Sequence, residues 1–216
     1  MRVEHALGSF FRMIRPTATP LFPTLAESRK LILHFRFVAQ SLVSNLSTYV
    51  FDTAISGNFD PFLARLSSSL NSAEVEATFS DVFALAKSHS RLLDDILSAC
   101  LLRSGQRVAG EVLRNALELI LEFTVVVGER YRGRMEEYQA APLLEDIAKK
   151  FFVKMAILTK GLKGLADKNG SVIMALPLQG SQTGVELVRK PTGGIEALHH
   201  LLVRLDLGNW WSMNKA

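Results

Sequence analysis

Glu196 and His199 stand three residues apart in a run of helical period, the spacing that one helix contributes to a four-helix di-metal site. Such a site needs a second Glu-x-x-His pair. The sequence has none, so no metal centre is expected, and His199-His200 reads as a surface histidine beside a half-buried one. The stretch Gly105 to Gly110 has the outer glycine spacing of a phosphate loop. Glu111 and Val112, however, stand where Lys and Ser or Thr would have to hold a triphosphate. Ser104, Cys100 and His89 offer a nucleophile and a base by residue type alone, because their helical setting supplies no nucleophile elbow, oxyanion nest or orienting acid. Cys100 is the only cysteine, which removes intrachain disulfides, cysteine-rich zinc sites and CxxC redox pairs. The expectation is a chain that is not an enzyme, carries no cofactor and works through its surfaces.

Surfaces are a matter of charge and apolar area. With 48% hydrophobic residues over 216 positions, the chain has material for a substantial core and is not disordered throughout. A formal charge of +4 is a thinner basic balance than a general nucleic-acid binder carries, so no nucleic-acid partner is expected. The charge is uneven: residues 1–40 hold six basic side chains, Arg29, Lys30 and Arg36 among them, against Glu4 and Glu27, whereas residues 41–100 hold three against seven acids. The longest uncharged runs, 37–51 and 169–185, fall short of a membrane span and are broken by Ser, Asn, Gln and Gly. The first sixteen residues interleave Arg2, Glu4, His5, Arg12 and Arg15 with apolar ones and leave no secretory h-region. No membrane is expected as a partner, and an intracellular location is.

The elements that must present these side chains are helical. Turn-forming residues cluster at Pro16 to Pro23 and Asn169 to Gly194, and between them the apolar period is that of a helix almost throughout. Leu31, Phe35, Val38, Leu42, Leu46, Tyr49 and Ile55 form the stripe of a long segment expected to end at Gly57; a short amphipathic helix, Phe59 to Leu70, follows with Asp60 as N-cap and Pro61 at the first helical position. A second long segment, starting near Glu74, is expected to turn Phe79, Phe83, Ala86, Leu93, Ile96, Leu97 and Cys100 to the core and to break at Ser104-Gly105. Val108, Val112, Leu113, Ala116, Ile120, Phe123 and Val127 continue the period towards Tyr138. Leu144, Ile147, Phe151, Met155 and Leu158 line a helix from Pro142 to Lys168 whose lysines face mostly outward. Ile195, Leu198, Leu201, Leu202 and Leu205 line the last helix. The fold class is all-α, about six to seven helices in a bundle, with a flexible insertion at 169–192. No heptad run or internal repeat stands out.

Four segments, in order, carry a resemblance. Arg2-Val3-Glu4-His5-Ala6-Leu7 is similar to a basic-Ile/Val-Glu-aromatic-Ala-Leu helix, and Arg29-Lys30-Leu31-Ile32-Leu33-His34-Phe35 through Leu46, Tyr49 and Val50 to a "Met-x-His-Phe … Leu-x-x-Tyr" helix. Phe79-Ser80-Asp81-Val82-Phe83, then His89, Leu92-Leu93, Ile96 and Cys100-Leu101-Leu102, resembles an aspartate, His, Leu, Cys-Leu-Leu helix. Leu201-Leu202-Val203-Arg204-Leu205-Asp206 with Trp210-Trp211 is similar to a closing "Leu-Leu-x-Arg-Leu-Asp-Phe-Asn" with trailing aromatics. Together they resemble the C-terminal domain of the gamma-tubulin complex component and spindle pole body component family. Leu207-Gly208-Asn209, the Ala-Ile-Ser-Gly turn at 54–57 and the 169–192 insertion depart from the family pattern and suggest a divergent, fungal-type member.

The resemblance implies a C-terminal family domain over residues 1–216 that starts inside the family's domain and is therefore N-terminally truncated. It implies binding of gamma-tubulin and of other gamma-tubulin complex components, microtubule nucleation, and a place in the cytoplasm and cytoskeleton at microtubule-organising centres or spindle poles. Arg29, Lys30, Arg36, His89, Arg204 and Asp206 are the expected contact residues; for His89, Arg204 and Asp206 a packing or capping role competes with direct contact. Tubulins are acidic, which suits the basic side chains. The alternatives are a basic helical scaffold that binds nucleic acid or another protein, and a fragment of the family domain without function.

Overall fold

The computed structural model describes residues 2–14, 22–71, 79, 81–173, 194–206 and 211, and of 10–14, 68–71, 167–173 and 194–196 only the helical backbone. Among the described residues every regular element is helical: α1 (Arg2–Ile14), α2 (Ala26–Thr48), α3 (Gly57–Asn71), α4 (Val82–Ala99), α5 (Arg107–Tyr131), α6 (Glu137–Ile173) and α7 (Gly194–Leu205). A π-helical stretch, Tyr49–Ser56, leads from α2 into α3, and a 3-10 turn, Ser104–Gln106, precedes α5. The chain is all-α, as its periodicity requires.

The differences from expectation lie mostly at helix ends. Gly57 is not a stop: its φ of −57° and ψ of −26° are ordinary right-handed values, and the chain stays helical from Ala26 to Asn71. Asp60 and Pro61 therefore lie inside α3 rather than capping it. Proline is tolerated there because the carbonyl it cannot serve belongs to Gly57, next to the π stretch, where the winding already departs from the α pattern. The cap appears instead at Asp81, whose extended backbone lets its carboxylate accept the Ala84 N–H at 2.6 Å and start α4. The start expected near Glu74 lies outside the described residues.

α4 ends before Ser104-Gly105. Leu101 adopts a left-handed φ of 60°, and the N–H groups of Leu101 and Leu102 donate to the carbonyls of Ser98 and Leu97 at 3.1 and 2.9 Å. This is a Schellman closure with leucine in the place that glycine usually takes. Burial of the Leu101 side chain offsets the backbone cost of roughly 1–2 kcal/mol. α5 stops at Tyr131, short of Tyr138, because Gly133 turns left-handed (φ 70°). α6 begins five residues before Pro142 and passes through Asn169-Gly170, since an isolated helical glycine costs only about 1 kcal/mol against alanine. The expected 169–192 insertion thus loses its first five residues to α6, and 174–192 lie outside the described residues.

The described residues form two compact units, one within 1–46, 110–160 and 205–216, the other within 47–109 and 161–204. The first is organised by aromatic rings. Phe35, fully buried on α2, stacks on Phe123 of α5 at 3.9 Å and meets Phe151 of α6 edge-on at 5.1 Å. Trp211 closes on Phe151 and Phe152 at 6.1 and 5.9 Å, held by its N–H donated to the Asp206 carboxylate at 2.9 Å. Leu144, Ile147, Met155 and Leu158 are buried on α6 as expected. Glu137 reaches back to the start of α2 and accepts the N–H groups of Thr24 and Leu25 at 3.1 and 2.8 Å. Its desolvation favours the neutral acid, but the bonds from Leu25 and Thr24 and the charge of Arg130 outweigh it and hold the carboxyl below the ordinary glutamate range.

The second unit buries Tyr49, Ala54, Asn58, Phe62, Leu92, Ala99, Leu101, Leu162, Ala197, Leu198, Leu201 and Leu202. The Tyr49 hydroxyl donates to the carbonyl of Ala99 at 2.7 Å, satisfying an end group of α4, and burial followed by the Cys100 thiolate pushes the phenol pKa up. The core face expected for α4 is not realised. Leu92 and Ala99 are its buried residues, Phe79, Ile96 and Cys100 are half-buried, and Phe83, Ala86, Leu93 and Leu97 face solvent. Periodicity shows that a helix has an apolar face; it does not show that the same chain covers it. His199 and His200 are both exposed, so neither is the half-buried member of the expected pair.

Two outcomes follow from the first unit. Phe123→Ala removes the ring that Phe35 stacks on and should cost about 3–5 kcal/mol in denaturant unfolding. Because the Glu137 carboxyl is held low, its contribution is complete above the ordinary value of 4.5 and is lost as pH falls through the depressed one. Glu137→Gln should therefore melt at lower temperature than the parent at neutral pH, with the gap narrowing as the solution is acidified below that value; a constant gap would exclude the charge as its source.

Candidate functional site

Ile32, Phe35, Val38, Ala39, Leu42 and Val43 take the inward side of α2, so residues a half-turn away must face out. They are Arg29, Lys30, Leu33, Phe37 and Gln40, all exposed; Leu33 keeps 48% and Phe37 74% of its surface in water. Lys30 pairs with Glu27 at 2.7 Å across one turn, a bond between side chains 72% and 86% exposed that contributes little and is easily exchanged. Arg36 lies half-buried at the border of this face and is already engaged. The face joins an aromatic and an aliphatic side chain to cationic heads within three turns, the composition of a protein-binding patch.

Three of the six expected contact residues, Arg29, Lys30 and Arg36, thus come together on α2. Asp206, in the same unit, is buried and occupied with Trp211. His89 and Arg204 belong to the second unit. His89 is exposed with its ring 6.0 Å from that of Phe62, which in turn is 6.1 Å from Phe79 beneath the Arg65 guanidinium. Arg204 is half-buried in the last turn of α7, where a cation complements the helix dipole. Leu33 and Phe37 were not among the expected residues. Their signal was available: both are large apolar residues that fall off the buried stripe of their own helix.

Chemistry-bearing side chains are scattered among the described residues. Among the described residues no three His, Cys, Asp or Glu side chains gather to hold a metal ion. Burial pushes the Cys100 thiol up, away from the thiolate a nucleophile needs. A cleft of about 170 Å³ lies between Ala6 and Ser9 of α1 and Thr124, Val125, Gly128, Glu129 and Arg132 of α5, smaller than ordinary ligand pockets. Its one acid, Glu129, is occupied by Arg132 at 2.9 Å and Arg134 at 3.5 Å. Among the described residues no helix is long and apolar enough to cross a membrane.

The described residues thus define an all-helical protein that presents exposed apolar and cationic side chains on the same helix face. The family model described as gamma tubulin complex component C-terminal matches residues 1–211, and the chain belongs to that family. No curated protein and no solved structure matches it.

The outward placement of Phe37 sets an expectation for stability. Phe37→Ser should change the unfolding free energy by less than about 0.5 kcal/mol, as a surface substitution does. A cost of several kcal/mol would mean that the ring is packed and that the α2 face is not free.

Proposed function

We propose that this chain is a non-enzymatic, gamma-tubulin-binding component of a gamma-tubulin complex that acts in microtubule nucleation at microtubule-organising centres and spindle poles, in the company of other gamma-tubulin complex components. The observation that carries this reading is the family match across residues 1–211. The outward face of α2 supports it physically. Arg29 and Lys30 steer an acidic partner, with Arg36 at the border, and Leu33 and Phe37 supply apolar area that is lost to water only on docking. His89 and Arg204 are further contacts from the second unit. Asp206 belongs to the set through Trp211, whose position it fixes. Neither a membrane nor a nucleic acid is needed for this activity.

The test is co-elution of the purified chain with purified gamma-tubulin on a sizing column at near-physiological salt, after circular dichroism has established a helical, cooperatively melting protein. A complex is expected. The double substitution Arg29→Glu and Lys30→Glu should weaken it by at least about tenfold, which corresponds to about 1.4 kcal/mol, and rising salt should weaken the parent complex more than the variant's. A well-folded chain that elutes apart from gamma-tubulin overturns the proposal.

A further inference from the structure

The outward side of α4 is an apolar stripe that the described residues of the second unit leave uncovered. Phe83, Leu93 and Leu97 expose 84, 46 and 43% of their surfaces, and Ala86 and Ser90 between them are exposed as well. Their positions, 83, 86, 90, 93 and 97, step by three and four alternately, the seven-residue period with which one helix seats against another. The stripe is short, two heptads, and polar Ser90 interrupts it, which is why no heptad run stands out from apolarity alone.

Two properties of the stripe make it complementary to itself when turned end for end. The first is volume. In an antiparallel pair the layers set Ala86 against Leu97 and Ser90 against Leu93 of the second copy, so each small residue receives a large one and the helices can approach closely. The second is charge. Lys87 and Asp94 lie seven residues apart along one edge of the stripe, with opposite signs. Antiparallel pairing brings Lys87 of each copy to Asp94 of the other, twice about the two-fold axis, whereas parallel pairing forms no lysine–carboxylate contact at this edge. Lys87 has no ion pair among the described residues. Asp94 is bonded to Arg103 at 2.7 Å, yet its side chain remains 56% exposed and has oxygen to share.

We propose that α4 is a self-association face through which two copies of this chain pair antiparallel about a two-fold axis. This goes beyond gamma-tubulin binding and does not depend on it. Five stripe positions a side are far fewer than the roughly 20–30 residues a side of a standard interface, so the dimer is reversible.

Sedimentation equilibrium of the full chain across the micromolar range tests it. The mass should rise from one chain to two. Phe83→Ser with Leu97→Ser should weaken the dimer at least about tenfold with the helical spectrum unchanged, while Phe37→Ser on α2 should leave it intact. Lys87→Asp and Asp94→Lys should each weaken association, and the two together should restore it. A parent that stays monomeric throughout the range, or a dimer indifferent to Phe83 and Leu97, overturns the proposal. Single charge variants that weaken association without rescue in the swap overturn the antiparallel pairing.

Discussion

The seating of the Phe35 ring between Phe123 and Phe151 governs the first unit. Successive side chains on a helix are about 100° apart, so fixing one buried residue fixes the direction of all its neighbours. Once Phe35 points into the ring cluster, Arg29, Lys30, Leu33 and Phe37 have nowhere to go but outward. Glu137 holds the start of α2 from 112 residues away and so sets where along the helix that outward face begins. Trp211, tied by Asp206, covers the far side of Phe151 and Phe152. The outward face of α2 and the core are two descriptions of one rotational choice.

The second unit makes a comparable choice with the opposite emphasis. Tyr49 and Leu101 together finish α4: one donates to its end carbonyl, and the other turns the chain left-handed while burying its own side chain. With that end fixed, the narrow Leu92 and Ala99 line faces inward and the broader apolar line faces out. In both units a helix carries apolar residues on two sides and the unit consumes one. What remains suits recognition by other proteins, in keeping with membership of a family named for an assembly.

Helix existence and type were legible because the apolar period along α2, α5, α6 and α7 is long and regular. The boundaries were less so, for a reason that differs at each. Gly57 and Asn169-Gly170 are weak breakers that right-handed continuity overrides, while Leu101 is a strong one with no residue signature, since leucine seldom takes a left-handed φ. The family was legible from four short segments in order, and the match to residues 1–211 agrees with it. That Arg29, Lys30 and Arg36 would share one helix was legible too, because they lie within eight residues of unbroken helical period. Leu33 and Phe37 could be told outward by their place off the stripe of α2; the outward turn of the α4 stripe could not, because an apolar side chain that keeps the period reads the same whether it is destined for its own core or for another molecule.

The π-helical stretch at Tyr49–Ser56 has a bearing on motion. A winding that bonds each carbonyl five residues ahead is less favourable than the α pattern, and Pro61 withholds a further amide just beyond it. The backbone from 49 to 61 is thereby the least tightly laced part of its helix, anchored by the buried side chains of Tyr49, Ala54 and Asn58. Exchange of amide hydrogens with solvent should begin within this stretch and spread from it.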